Sequence, residues 1–141
     1  MATIFTRIIQ GELPGRFVWR DETAVAFLSI NPISTGHALV VPVAEVDHWL
    51  DLDDATIGHL TLVARRIGDA QLRAFAPPRI GLVIAGMEVP HTHLHVMPIA
   101  SEADLHLDRG RPDPDPAEMD DARDRIAAAL RELGHGDHVP D

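Results

Sequence analysis

Three histidines alternate along one short stretch of the chain, Val-Pro-His-Thr-His-Leu-His-Val-Met-Pro. They are His91, His93 and His95. On a β-strand, alternate side chains point to the same face and lie about 6.5–7 Å apart. The spacing therefore predicts one row of imidazoles, with Leu94 and Val96 turned into the core behind it. Three polar rings side by side must share hydrogen bonds or a ligand.

Two kinds of site would use such a row. The first is a metal site, because His-x-His on a strand can present two nitrogens to a zinc ion. The second is phosphoryl or nucleotidyl transfer, in which one neutral imidazole is the nucleophile and its neighbours bind phosphate oxygens. A merely solvated strand face fits less well, because histidine is uncommon and the alternation is strict. The residues alone leave both chemistries open.

The composition excludes several classes of function. A chain of 141 residues forms one domain with room for a substantial core. It has no cysteine, which excludes disulfides, thiolate nucleophiles and cysteine-based zinc sites. It also has no lysine, which excludes a P-loop lysine and Schiff-base chemistry. The net charge of −10 argues against binding nucleic-acid polymers, although one nucleotide could still occupy a local pocket.

The sequence does not suggest a membrane protein or an export signal. The apolar run within residues 1–7 is short, and no small-residue cleavage site follows it. No segment approaches the length of a transmembrane helix. We therefore expect a cytoplasmic protein that does not bind membranes.

The elements that would position the histidines follow from hydrophobic spacing and turn residues. Residues 4–9 repeat at helical spacing and predict a short N-terminal helix. Apolar residues that recur every three or four positions, from N-cap candidates at 51–54 to Pro77-Pro78, predict the main amphipathic helix. Alternating segments between turn signals predict strands. The predicted strands are 16–20, 24–28, 37–41, 80–85 and the histidine stretch itself.

The C-terminal region differs in character. Residues 109–116 are rich in Arg, Asp and Pro and predict an extended linker. The Asp-Pro pair at 115–116 suits the start of a helix whose apolar stripe ends at Gly134. We divide the chain into a domain, residues 1–100, and an extension, residues 101–141, whose helix packs on the domain or on a partner copy. We expect no catalytic role for the other histidines, which are His48, His59, His106, His135 and His138.

With these elements in place, the sequence resembles the histidine triad (HIT) family. The family signature is His-x-His-x-His followed by two apolar residues, which the stretch from His91 to Met97 matches. The stretch from Thr35 to Pro42 resembles the family's Gly-His strand and adds a fourth histidine, His37. The stretch from Ile4 to Pro14 resembles its N-terminal segment, and the spacing from Asp21 to Pro32 also agrees. The resemblance covers roughly the first hundred residues.

The resemblance implies an α+β fold of the HIT type. This fold is a five-stranded antiparallel sheet with a long helix and a short N-terminal helix, usually paired into a homodimer. The C-terminal helical extension lies outside the shared core. The implied activity is hydrolysis or transfer at the α-phosphate of a purine nucleotide, with a nucleoside phosphoramidate or a dinucleoside polyphosphate as substrate. The family requires no metal and no cofactor for this reaction.

By match with the family, His93 is the catalytic nucleophile. An attacking ring nitrogen must be unprotonated, so the other ring nitrogen must be held as a donor. In the family a backbone carbonyl near the first histidine does this. A nucleotidyl-histidine intermediate forms, and water then cleaves it. His91 and His95 match the residues that contact phosphate oxygens and the leaving group, and His37 supports this network.

The resemblance also implies an apolar pocket for the base and reveals departures around it. Ser29 stands where many members have an aspartate that binds the ribose hydroxyls. Ile80 replaces a polar residue near the phosphates, and Met87 replaces a glutamine. Glu88 then places a carboxylate beside the phosphates, where it would repel them. The expected apolar positions are Ile4, Phe5, Leu13 and Ile30, together with Ile8, which we interpret as a core residue.

These departures leave alternatives to an efficient enzyme. We expect slow turnover, looser nucleotide affinity or an unusual substrate, because binding contacts supply much of the orientation that catalysis needs. A second hypothesis is a catalytically weak nucleotide-binding or partner-binding protein. A third is a metal-dependent hydrolase that uses the histidine row, although no carboxylate has an obvious place as a further ligand or base.

Overall fold

A computed structural model describes residues 1–141 and shows an α+β architecture. Five strands form one antiparallel sheet in the order β1-β2-β3-β5-β4. The predicted five-stranded antiparallel sheet and long helix are thus confirmed. The elements are α1 (Ile4–Ile9), β1 (Phe17–Arg20), β2 (Ala24–Leu28), β3 (Ala38–Pro42), α2 (Asp54–Phe75), β4 (Arg79–Ile84), β5 (Leu94–Ile99) and α3 (Pro116–Glu132).

The two long helices begin and end where their sequence signals predict. Asp53 caps α2 by accepting a hydrogen bond from the Thr56 backbone N–H. The helix ends at Ala76, whose φ of 48° is left-handed, directly before Pro77-Pro78. In α3, Asp115 accepts from the Ala117 N–H, and Pro116 is the first helical residue. None of the helices has the length and apolar character needed to cross a membrane.

Both faces of the sheet are covered, but by different layers. Alternate residues of β2 and β3, such as Ala26 and Val40, face α2 and α3 and lie in the main core. The intervening residues, such as Phe27 and Leu39, face α1 and form a smaller cluster around Phe5. The histidine site lies on this second face, so α1 is the element that covers it.

The C-terminal extension packs on the domain rather than projecting from it. The apolar stripe of α3, including Met119, Ile126 and Leu130, is buried in the main core with residues of α2. Residues 102–105 and 107–109 form short 3₁₀ turns ahead of the expected linker, residues 109–116. The Arg111 N–H then donates to the Pro32 carbonyl at 3.0 Å, which holds this segment against the loop after β2.

One expectation about the histidine stretch is wrong. Strand β5 begins only at Leu94, so His91 and His93 precede it and do not form a strand row with His95. The reason lies in Thr92, whose backbone N–H and hydroxyl donate to the Val46 carbonyl at 2.7 and 2.9 Å instead of pairing with the sheet. Leu94 lies in the main core as predicted.

Candidate active site

The His93 ring is held by a hydrogen bond to the backbone two residues upstream. Its Nδ1 lies 2.7 Å from the His91 carbonyl oxygen, which can only accept, so Nδ1 carries the proton. Burial lowers the pKa of His93, which favours the neutral ring at neutral pH. The Nε2 atom of a neutral ring with a protonated Nδ1 is unprotonated. The tautomer that a nucleophile requires is therefore set by the backbone.

His91 lies behind the site rather than in it. The side chain is fully buried and its Nε2 donates to the Pro42 carbonyl at 2.8 Å. Burial also lowers the pKa of His91. Because His91 does not line the pocket, its placement differs from the expected contact with phosphate oxygens. What it offers to His93 is its backbone carbonyl.

His37 and His95 are joined by a hydrogen bond in which His37 is the donor. The Ile33 backbone N–H donates to His37 Nδ1 at 3.1 Å, so the proton of the neutral His37 ring is on Nε2. This Nε2–H donates to His95 Nδ1 at 3.0 Å, which leaves the His95 proton on its own Nε2. Burial, with the neighbouring His95 charge, lowers the pKa of His37 to about 3. Burial, with the neighbouring His93 charge, lowers that of His95 to about 4.

A pocket of about 690 Å³ opens onto these rings. The rings of His93 and His95 have centroids 5.0 Å apart on its wall, and Phe5 meets the His93 ring edge-on at 5.0 Å. Ile30, with 66 % of its surface exposed, forms part of the rim together with Ile4. An apolar chamber with a few polar groups at one end is typical of a small-molecule site.

Comparison with known proteins identifies the fold family. Residues 10–102 match the family model described as the HIT domain. The chain belongs to the histidine triad family. An HIT-like protein of Borreliella burgdorferi is 38 % identical over 102 residues, which cover 67 % of this chain and 73 % of that protein.

Solved structures of HIT proteins share this architecture. A zinc-bound histidine triad family protein from Mycobacterium smegmatis has a TM-score of 0.82 at 27 % identity and covers 96 % of this chain and 98 % of its own. A histidine triad nucleotide-binding protein from Sulfolobus tokodaii has a TM-score of 0.81 at 25 % identity, with 92 % of each chain covered. Since the alignments cover nearly the whole chain, the similarity includes the region beyond the HIT domain.

The structure brings most of the expected site residues of this HIT protein together. The lining includes eight of them: Ile4, Phe5, Ser29, Ile30, His37, Glu88, His93 and His95. Leu13 lies outside the lining, where the neighbouring Pro14 takes part instead. Ile8, interpreted as a core residue, lines the pocket and also packs against the smaller apolar cluster around Phe5. Met87 lines it as well, with 90 % of its surface exposed.

The expectation for Ile80 is wrong. Ile80 pairs with Pro98 in the register between β4 and β5. Its side chain packs against Gly68 of α2, so closely that a Cβ atom built on the glycine would lie 3.2 Å from Ile80 Cγ2. Ile80 is thus on the helix-covered face of the sheet, away from the histidines. Ser29, by contrast, lines the pocket, and its hydroxyl accepts from the Asn31 N–H at 3.2 Å. Ser29 therefore remains a residue that could meet the sugar.

The C-terminal extension adds a wall that the sequence did not predict. Leu107 and Asp108 line the pocket, and so does Asp120 from α3. The Asp120 carboxylate accepts from Arg16 Nε at 2.8 Å and so joins α3 to the segment before β1. These residues are separated by 104 positions in the chain, and only a three-dimensional arrangement could reveal the contact.

The histidines outside the triad take part in other contacts. His59 bonds to Asp21 at 2.7 Å, and the His138 ring stacks on Trp19 with centroids 4.6 Å apart. Trp19 and His59 are on the side of the sheet that α2 and α3 cover. No group of three or more His, Cys, Asp or Glu side chains is arranged to hold a metal ion.

Proposed function

We propose that this HIT protein is a purine nucleotide hydrolase or transferase that attacks the α-phosphate through His93. The observation that carries the proposal is the fixed tautomer of His93, which leaves Nε2 unprotonated at the wall of a large pocket. The His91 carbonyl fixes the proton on His93 Nδ1, and the Ile33 N–H sets the tautomers of His37 and His95. No prior proton transfer is therefore needed to create the nucleophile.

The proposed reaction has two steps. His93 Nε2 attacks phosphorus, a P–N bond forms, and the bond to the leaving group breaks. The leaving group departs with a proton from solvent, while Nδ1 keeps its own proton. The resulting nucleotidyl-imidazolium is then stabilised by the His91 carbonyl, 2.7 Å from Nδ1. Water attacks in the second step, releases the nucleoside monophosphate and a proton, and returns neutral His93.

His95 is the proposed donor to the reacting phosphate. Its Nδ1 accepts from His37, so its remaining N–H is on Nε2. A neutral imidazole N–H can stabilise a phosphate oxygen by a hydrogen bond as charge develops there. His37 then has a positioning role. The low pKa values of this pair, about 3 and about 4, keep both rings neutral across the physiological range.

The pocket supports a nucleoside as the bound group. Its apolar wall from Ile4, Phe5 and Ile30 can sandwich a base, and its volume of about 690 Å³ is within the range of small-molecule sites. The Sulfolobus neighbour is described as nucleotide-binding, which agrees with this assignment. A nucleoside phosphoramidate and a dinucleoside polyphosphate are the two substrate types proposed, with no metal or cofactor.

Turnover of a fluorogenic adenosine 5′-phosphoramidate tests the proposal. Wild-type protein is expected to release the fluorophore and to form an adenylyl adduct on His93 that mass spectrometry detects after quenching in alkaline denaturant, because a histidine P–N bond hydrolyses in acid. His93→Ala is expected to lower kcat by at least about a thousandfold, because the nucleophile is absent. His106→Ala removes an exposed imidazole outside the pocket and is the matched control. A His93→Ala variant that retains wild-type turnover contradicts the assignment.

A catalytically weak binding protein is the second candidate. Glu88 lines the pocket and would repel the phosphates, and Ser29 offers the sugar only a neutral hydroxyl. Protein that binds AMP by calorimetry but turns over neither substrate type would favour this candidate over the enzyme.

We also propose that the protein forms a homodimer in which the C-terminal extension of each protomer packs on the domain of that same protomer. Exposed apolar side chains lie on α2 and on the edge strand β4, where a second copy could cover them. These are Leu62, Leu72 and Leu82. Light scattering distinguishes a dimer from a monomer.

A further inference from the structure

Thr3, the N-cap residue of α1, contacts the first histidine of the triad outside the pocket lining. Thr3 Oγ1 lies 2.7 Å from His91 Nδ1. The other nitrogen of that ring, Nε2, must carry a proton because its partner is the Pro42 carbonyl. In the neutral ring Nδ1 is therefore an acceptor, and the Thr3 hydroxyl donates to it. Every ring nitrogen of His91 is satisfied, which a fully buried imidazole requires.

Thr3 is itself firmly placed. It is the N-cap of α1, and its hydroxyl oxygen accepts from the Thr6 N–H at 3.1 Å. The Glu45 carboxylate accepts from the Thr3 N–H at 2.7 Å and from the Thr6 hydroxyl at 2.8 Å. These hydrogen bonds lower the pKa of Glu45 and favour its ionised form. Thr3 does not line the pocket, so it does not touch a bound nucleotide there.

We propose that Thr3 is a positioning residue for the reaction, holding His91 so that its carbonyl stays aimed at His93 Nδ1. The proposal rests on the proposed function for its catalytic consequence. A ring fixed at both nitrogens cannot flip or exchange tautomers, so residue 91 keeps one backbone orientation. The chain of bonds then runs from the Thr3 hydroxyl through His91 to the nucleophile.

If the Thr3 hydroxyl is removed, few other groups can donate a hydrogen bond to His91 Nδ1. The His91 ring has no exposed surface, so bulk water is not in contact with it to replace the Thr3 hydroxyl. The His91 Nδ1 would be left without a donor or the ring would rotate to find one, and rotation alters the hydrogen bond at Pro42 and the backbone of residue 91. Helix α1 also carries Phe5, whose ring meets both His91 and His93 edge-on, with centroids 5.8 and 5.0 Å away. A shift at His91 is therefore transmitted directly to the nucleophile.

Three variants separate the hydroxyl from the helix that carries it. Thr3→Val is isosteric and removes the donor together with the cap, whereas Thr3→Ser retains both. Thr6→Val removes a hydroxyl that donates to Glu45 and lies 3.3 Å from Thr3 Oγ1, and it leaves the shorter Thr3–His91 bond in place. It therefore reports on the anchorage of α1 and Thr3 with the His91 donor retained. Thermal unfolding of all three gives the accompanying loss of stability.

Two readouts are used. With the phosphoramidate, Thr3→Val is expected to lower kcat by roughly five- to tenfold at nearly unchanged KM, the effect of losing one hydrogen bond. Thr3→Ser is expected to restore kcat, and Thr6→Val to retain it. Long-range ¹H–¹⁵N spectra are expected to show protonated Nε2 for His91 and protonated Nδ1 for His93 in the wild type and in Thr3→Ser. In Thr3→Val these are expected to become mixed.

The two readouts also separate this proposal from the proposed function. The tautomers are measured without substrate, so they test the role of Thr3 even if no turnover is found. Unchanged tautomers in Thr3→Val overturn the proposal, and so does a kcat loss in Thr6→Val equal to that in Thr3→Val. Turnover that is absent in the wild type with the expected tautomers would instead count against the enzyme assignment alone.

Discussion

Replacement of His37 by glutamine is expected to weaken the dependence of protein stability on pH. His37 is buried beside His95 and has a folded-state pKa of about 3, against an ordinary histidine pKa of 6.5. The unfolded chain therefore binds a proton at this residue between these two values while the folded protein does not. Stability is greatest above pH 6.5 and falls as the pH falls, because protons favour the unfolded state. An amide at position 37 could still accept from Ile33 N–H and donate to His95, but does not titrate.

The magnitude follows from the two pKa values. Between pH 7 and pH 5, a histidine with these two pKa values lowers the free energy of unfolding of the protein by about 2 kcal/mol. The result changes little if the folded-state pKa is anywhere below 4, since pH 5 is still above it. His95, with a folded-state pKa of about 4, adds a further loss of about 2 kcal/mol. Together these losses are a large part of the ~5–15 kcal/mol that stabilises a typical domain.

Urea unfolding at pH 7, 6 and 5 measures the effect. The loss between pH 7 and pH 5 is expected to be about 2 kcal/mol smaller in His37→Gln than in the wild type. Comparing losses rather than absolute stabilities removes any packing cost of the variant. The control, His106→Gln, deletes an exposed imidazole with no side-chain hydrogen bond. If His37→Gln loses as much stability as the wild type, His37 is not held neutral by the fold, and the reasoning on tautomers fails with it.

Two further results are expected. Ser29→Asp should tighten AMP binding in calorimetry by about tenfold, since a carboxylate at this pocket position can accept charge-assisted hydrogen bonds from ribose hydroxyls. Ser29→Asn is its neutral control, and equal affinities for the two would mean that the sugar lies elsewhere. Phosphoramidate turnover should survive dialysis against a strong chelator, because an imidazole nucleophile needs no Lewis acid. Activity lost on chelation and restored by zinc would contradict this mechanism.

The sequence predicted the elements well where local chemistry decides them. The Asp-Pro pair at 115–116 and the acidic residues before α2 both became helix starts. Alternation placed Leu94 in the core, because it reports directly which face a strand buries. It did not reveal that the strand begins after His93. That boundary depends on Thr92 bonding to the loop at Val46, a contact between distant residues with no local signal.

Residue types along the chain indicate candidate site residues but not which of them come together. Glu88 and Ser29 line the pocket, whereas Ile80 does not, because its place depends on the register between β4 and β5. Asp120 and Thr3 were missed for different reasons. Asp120 reaches the pocket through the packing of α3, whereas Thr3 had a visible signal as the N-cap of a helix that leads into the pocket wall. An N-cap hydroxyl has a free proton to donate, and that proton is what His91 uses.

The hydrogen bonds of the four histidines also weigh against a metal-dependent hydrolase. Both nitrogens of His91 and both of His37 already have partners within 3.1 Å, and so does Nδ1 of His93 and of His95. Only the two Nε2 atoms of His93 and His95 remain without a partner. A catalytic zinc ion ordinarily takes three protein ligands and keeps one open position. Binding it here through a third histidine would require breaking one of the hydrogen bonds that set the tautomers. The same bonds leave one ring with a lone pair and its neighbour with a proton at the pocket wall, which is the pairing that attack on a phosphate needs.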